Sequence, residues 1–388
     1  MRNKTIAFVA NFSGIFLFGI SMVMIGSILP LLKIRFGIGD AEAGGFFSIL
    51  PVGLLIGSVA FGPIVDKFNY RWTLFFATLF LSAGFFGIAH ATSLDWLRIS
   101  IFLFGLGGGT INGGTSALVS DLSEGKQKII NLNWLGMFYG IGAFSMPLIL
   151  SLVSERNHVL IIDVVSLLSL IIAVGFLFID YPIVVEKDKI SIKLIPKFLK
   201  NRFFMVICFY LFFQSAFEAL VNNWTVSFFM ETLGSEQNQA LWALSVSILG
   251  LVSMRLLIGS ALRDWHHFGL VKLSLLLFAT GVVLLFTPAF IFVKMLGMYL
   301  IGAGLASGFP VMLGIIGEIF KGVSGTAFSF AMLIALIGNT IINYLTGLVT
   351  QLFGMSAYLY VVTAVAVMMS AVFFNIRRMG RGDWLKIG

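Results

Sequence analysis

The chain has 388 residues, of which 59% are hydrophobic types and 11% are charged, with a formal net charge of +8. Soluble globular domains run nearer 45–50% apolar and about 25% charged, so these few charges cannot cover the surface of a soluble protein of this length. A soluble enzyme, a nucleic-acid-binding domain and a disordered scaffold are excluded, and a polytopic helical membrane protein remains.

A bilayer core of about 30 Å takes roughly 20 apolar residues as a helix. Twelve stretches meet this: 6–31, 41–65, 73–92, 96–120, 132–154, 158–180, 203–230, 240–262, 270–290, 295–317, 324–350 and 356–376. The first follows Arg2 and Lys4 and looks at its start like a signal peptide. It is too long for a signal h-region and has no convincing cleavage site, so it reads as an uncleaved span. The expected fold class is therefore an all-α membrane protein of twelve transmembrane helices.

The +8 is first a question of where the charges sit. Of the 25 Lys and Arg, Lys33, Arg35, Arg98, Arg156 and Lys294 fall in one set of alternate loops, Arg255 falls inside a span, and the other 19 fall in the opposite set. The positive-inside rule places the 19-residue side, with both termini, in the cytoplasm. The expected organisation is a six-span half over 1–180, a basic cytoplasmic linker over 181–202 with an interfacial helix from Ser191 to Lys200, and a second six-span half over 203–388.

An internal repeat supports that division. An offset of 197 residues pairs Gly37 with Gly234, Gly53 with Gly250, Gly62 with Gly259, Gly84 with Gly281, Gly105 with Gly302, Gly107 with Gly304 and Gly125 with Gly322. Chance gives about two such coincidences. The halves are expected to be parallel repeats, related by an axis along the membrane normal. Glycine at matched positions fits, because it lets membrane helices approach closely. Two such halves flanking a midplane site imply an alternating-access transporter.

The segment Gly62-Pro63-Ile64-Val65-Asp66-Lys67-Phe68-Asn69-Tyr70-Arg71, between spans 2 and 3, resembles the signature of the major facilitator superfamily, with Asn69 in place of a usual glycine. Gly259-Ser260-Ala261-Leu262-Arg263-Asp264 resembles its weaker second-half copy. A narrower resemblance is to the fucose–proton symporter type of sugar transporter. It is carried by Gly105-Leu106-Gly107-Gly108-Gly109 through Asp121-Leu122, by Leu132-Asn133 with Phe138-Tyr139-Gly140-Ile141-Gly142-Ala143, and by Gln214-Ser215-Ala216-Phe217-Glu218 with Trp224. Ser116 and Gly136 depart from that group, where an asparagine and a histidine are common. The resemblance implies the major facilitator fold, a bacterial plasma membrane location, a small-molecule solute, and protons as the coupling ion. A monomer is expected.

Ionisable side chains inside spans are costly and are functional candidates. Away from span ends there are three: Glu218, Arg255 and Asp163. Glu218 lies about 15 residues into span 7, roughly 22 Å along the axis and close to mid-membrane. Gln214, Glu218 and Asn222 follow at i, i+4 and i+8, on one helix face, with Trp224 nearby. A carboxylate and amides match the donors and acceptors of a polyol, and an aromatic covers the apolar side of a sugar ring. Glu218 is the candidate proton carrier; the alternative is an acid paired structurally to another helix. Asn339 and Asn343 in span 11, with Tyr344 alongside, and Asn112 with Ser116 in span 4 are further candidates for touching solute, although amides also join membrane helices to one another. Asn133 and Tyr139 in span 5 complete the polar set.

Arg255 lies near the cytoplasmic end of span 8, about 10 Å below Glu218 by helical rise. It is expected to snorkel inward or to meet Glu318, in a structural or gating role. Asp66, Asp121 and Glu318, with Lys67, Arg71 and Arg263, are candidates for ion pairs that latch the cytoplasmic side in an outward-facing state; exposed pairs of this kind are worth about 1 kcal/mol or less. Asp163, near the outer face, reads as interfacial.

The single Cys208 excludes an internal disulfide, and His90, His158, His266 and His267 lack metal-ligand spacing. No metal, no cofactor and no nucleic-acid partner is expected. There is no G-x-x-x-x-G-K-[ST] loop, which leaves a gradient or the substrate itself as the energy source. The leading reading is a proton-coupled importer of a sugar or similar small polar solute. The alternative is a proton-driven exporter of drugs or other amphipathic compounds. Span 5 reads Gly142-Ala143-Phe144-Ser145-Met146-Pro147, without the paired glycines that exporters of the superfamily often show there, and leans to import. A non-transporting sensor would lack the midplane polar stripe.

Overall fold

A computed structural model describes residues 2–123, 125–179, 181, 195–262, 265–320 and 324–383. Among them the chain is helical: α1 (Arg2–Phe36), α2 (Asp40–His90), α3 (Leu94–Leu122), α4 (Gly125–Leu152), α5 (His158–Phe176), a short α6 (Ile195–Lys200), α7 (Arg202–Glu231), α8 (Gln237–Gly259), α9 (His267–Phe286), α10 (Ile291–Ile319), α11 (Ser324–Phe353) and α12 (Tyr358–Asp383). Eleven of these are long and apolar enough to cross a membrane. Residues 182–194 of the expected linker, and Arg263, lie outside the described residues; α6 is the described part of the expected interfacial helix.

Eleven helices make twelve crossings because α2, 51 residues long, holds spans 2 and 3. Its one break is Asn69, at φ 60° and ψ 174°, a conformation normally left to glycine. The chain reverses there. Before the break, Gly53 and then Gly57 pack on Phe102 and then Leu106 of α3; after it, Ala77 lies against Gly107 and Gly84 against Phe104, in the opposite order. The expected loop over 66–72 is thus compressed into one residue. Asn69 can occupy it because its Oδ1 accepts the Arg71 amide (2.9 Å) and its carbonyl accepts the Thr73 hydroxyl (2.7 Å), the local bonding that suits asparagine to turns.

The repeat is built into the packing. A Cβ on Gly53 would overlap the Phe102 carbonyl, and one on Gly250 the Tyr299 carbonyl; Gly105 faces the Leu50 carbonyl and Gly302 that of Ser247; Gly107 faces Ala77 and Gly304 faces Ser274. Each partner is displaced by the same 197 residues as the glycines themselves. Gly37 and Gly234, ending α1 and α7, share φ +63°. The glycines therefore mark equivalent backbone-to-backbone crossings, where any side chain would force the helices apart.

Three seams join the first six crossings to the last six. Gly26 of α1 lies against the backbone of Asn222 and Asn223, and Lys33 further along α1 meets Glu231 further along α7, so the two helices run side by side in parallel. Gly44 of α2 lies against Gly347 of α11, and Ser48 donates to the Thr340 carbonyl at 3.0 Å. Gly140 of α4 lies against Val252 of α8. The end of the bundle where α1 begins and α12 ends is here called the near face, and the other the far face.

Candidate transport site

The seams close the far face. Lys33, at the far end of α1, donates to Asp40 Oδ1 at the start of α2 and to Glu231 Oε1 at the end of α7, each at 2.7 Å. The second pair ties the two sets of crossings together. With Nε2 of buried His158 donating to the Leu150 carbonyl (3.0 Å), its Nδ1 faces the Gln237 amide of α8 at 3.5 Å. Asp163 is also on this face, with Oδ1 2.8 Å from His90 Nε2.

The near face is open between α4, α8 and α10. A vestibule of about 610 Å³ there is lined by Asn133, Gly136, Arg255, Ser260, Ser307 and Pro310, among others. Deeper lies a central cavity of about 140 Å³ with walls from both sets of crossings. Its polar lining is Ser58, Asn112, Ser215, Glu218, Asn222, Asn223 and Asn339; its apolar lining includes Phe18, Met22, Phe47, Phe309 and Met332. Glu218 and Asn222 also line a small chamber with Tyr139, Ser247, Leu251 and Leu305. Glu218 stands between the two and makes no hydrogen bond or ion pair among the described residues; Arg255 and Tyr139 lie close enough to act on it electrostatically.

Of the residues singled out in the sequence, Asn112, Glu218, Asn222 and Asn339 meet at the central cavity. Four others point elsewhere. Gln214 is fully buried and donates to the Leu305 carbonyl of α10 at 3.1 Å, against Gly308. Trp224 is fully buried, edge-on to Phe47 at 5.2 Å between ring centres, and its Nε1 donates to Asn343 Oδ1 at 3.1 Å. Asn343 also accepts from Asn223 Nδ2 (3.0 Å) and donates to the Asn339 carbonyl (2.9 Å). These bonds form a buried amide chain joining α7 to α11, with Asn223 and Asn339 also on the cavity wall. Tyr344 is exposed.

Three near-face charges have these contacts among the described residues. Asp121 accepts from the Tyr70 hydroxyl at 2.6 Å, Arg71 donates to the Ile179 carbonyl at 3.2 Å, and Lys67 lies over the Phe68 ring. These contacts remain within the first six crossings. Asp66 and Glu318 are exposed. Arg255 does not reach Glu318: it makes no ion pair among the described residues and faces the vestibule instead.

The far-face triad and Asn223 were not singled out beforehand. The signals were present: Asn222-Asn223-Trp224 is a polar run in an apolar span, and Glu231 occupies, in the 197-residue register, the place beside Lys33.

The Major Facilitator Superfamily description matches residues 12–299. The chain belongs to this superfamily. It is a multi-pass membrane transporter, not an enzyme. The 4-hydroxybenzoate transporter PcaK of Pseudomonas putida is 28% identical over 128 residues, 33% of this chain and 29% of that protein, so the chain spans under a third of that relative's length in the match. The glucose/mannose transporter GlcP of Bacillus subtilis is 24% identical across 95% of this chain and 94% of its own. Among solved structures, the nucleoside transporter NupG superposes with a TM-score of 0.81 at 14% identity, over 97% of this chain and 99% of that one. A D-xylose-proton symporter superposes with a TM-score of 0.77 at 15% identity, over 95% and 97%. The superfamily fold thus places a cavity with a partly polar lining between two packed sets of helices, with one end sealed and the other open.

Proposed function

We propose that the chain is a proton-coupled importer of a sugar or similar small polar solute, in a bacterial plasma membrane with the near face cytoplasmic. The observation that carries this is the central cavity: four asparagines and one carboxyl, Glu218, converge there from both sets of crossings. Amides satisfy hydroxyl donors and acceptors without charge, and they discriminate strongly against apolar competitors because unmet partners are costly. Glu218 is the acid that carries the proton, and Asn112, Asn222, Asn223 and Asn339 bind the solute. The near-face opening is the cytoplasm-facing state of an alternating-access cycle, in which the halves 1–180 and 203–388 rock about the site. The whole-length match to a transporter named for glucose and mannose supports the solute class, and the excess of basic residues on the near face supports the orientation. Phe18, Met22, Phe47, Phe309 and Met332 in the same lining favour a second reading, export of an amphipathic compound.

Reconstituted vesicles decide between these. Glu218→Gln should lose accumulation driven by a proton gradient while retaining solute exchange at equilibrium. Undiminished gradient-driven uptake in that variant would sink the proton role. Saturable uptake of a sugar with proton entry excludes the export reading.

A further inference from the structure

Arg255 stands four residues from the near-face end of α8 with Glu218 within electrostatic reach but not in an ion pair. A guanidinium is a fixed positive charge, and a charge within a span pairs, snorkels to the interface or lines a solute path. No carboxylate lies within ion-pair distance of Arg255 among the described residues, and its Nε is buried without a hydrogen-bond partner. The group nevertheless faces the vestibule, beside Asn133, Ser260 and Ser307. Two further observations put it on the route to the central cavity. Along α8, Ser247, Leu251 and Arg255 follow at i, i+4 and i+8; the first two line the chamber that holds Glu218 and Asn222, and Arg255 is about 6 Å further toward the near face. In the 197-residue register the mate of Arg255 is Ser58, which lines the central cavity itself.

The central cavity holds about 140 Å³, less than the roughly 300–1,000 Å³ of ordinary ligand pockets. A solute that spans from the asparagines to Arg255 must part the walls of the chamber between them, which here holds about 10 Å³. We propose that Arg255 is a carboxylate-binding subsite, and that the solute is a small polar monocarboxylate, hydroxyl-bearing at the asparagine end and anionic at the arginine end. This rests on the reading of the central cavity as the site for a small polar solute. A guanidinium receives a carboxylate through two parallel N–H···O bonds, which a neutral sugar cannot offer.

The test uses matched pairs that differ at one carbon: D-glucose with D-glucuronate, D-galactose with D-galacturonate, and glycerol with glycerate. Binding is measured on the purified full chain, in wild type, Arg255→Lys and Arg255→Gln, with monodispersity checked for each. The acid of at least one pair should bind about tenfold tighter than its neutral partner, with part of that preference kept by Arg255→Lys and none by Arg255→Gln. Equal or tighter binding of the neutral members, or a preference that survives Arg255→Gln, overturns the subsite; if those neutral sugars are also taken up with protons, the proposed function stands without it. Failure of every compound to bind overturns the subsite and the sugar-type reading together.

Discussion

The two sets of six crossings share their packing and differ in their chemistry. The glycines that let α3 approach α2 have mates, 197 residues on, that let α10 approach α8 and α9, against equivalent neighbours. Around the central cavity the same register pairs unlike residues: Phe18 with Ser215, Met22 with Ala219, Asn112 with Phe309, and each of these lines the cavity. Glu218 pairs with Ser21, which is buried and bonded to its own helix at the Phe18 carbonyl. Backbone crossings tolerate little change because nothing can be inserted between two helix backbones. Lining positions face open volume and are free to diverge, so a solute meets two different walls.

The largest effect should come from breaking the shared part. Gly53→Val and Gly250→Val each push a side chain into a facing backbone carbonyl, at a cost of about 3 kcal/mol. Both variants should lose most monodisperse protein and melt well below wild type, to similar extents. A large loss in one with tolerance in the other would show that the equivalence is nominal.

The far-face triad tests the unshared part. In the repeat register Lys33 pairs with Met230 and Asp40 with Gln237, so this ion pairing exists once. Lys33→Gln removes the one pair of the triad that crosses between the two sets, Lys33–Glu231, worth about 1 kcal/mol or less, and should shift the population toward far-face opening by up to about fivefold. Spin labels on the far ends of α1 and α7, placed on the otherwise buried single-cysteine background, read that distance distribution; an unchanged distribution would reduce the triad to surface decoration. Met230→Gln should not move it.

The smallest effect concerns the span 2–3 reversal. Asn69→Gly should raise the melting temperature by relieving about 1 kcal/mol of backbone strain. His266, its mate, sits at φ −60° and ψ 132°, where any residue is at ease, so His266→Gly should gain nothing. A gain at both positions would point to a general loop effect.

The crossings were legible because each must bury its backbone in lipid and so needs a long apolar run; the repeat was legible because glycine spacing records backbone approach directly. The turn at Asn69 was not, since hydropathy falls over the charged stretch from Asp66 to Arg71 whether the chain makes a loop or a single-residue reversal. The site was legible in its depth and in Glu218. It was not legible in side-chain direction. Gln214, Glu218 and Asn222 share a face only loosely, because each step of four residues turns the helix by about 40°. Helix α7 is also packed by α1, α8, α10, α11 and α12, so its cavity-facing side is decided by neighbours distant in sequence. The same holds for Lys33 and Glu231, which meet only once α1 lies along α7.

The glycine seam between α2 and α11 has a mechanical consequence. Gly44 and Gly347 touch backbone to backbone close to the far face, with no side chains between them to interlock. Such a contact resists rolling far less than meshed side chains do. In the proposed rocking cycle the two halves would turn about this contact like doors on a hinge, and the place where two glycines meet would set how far each face can open.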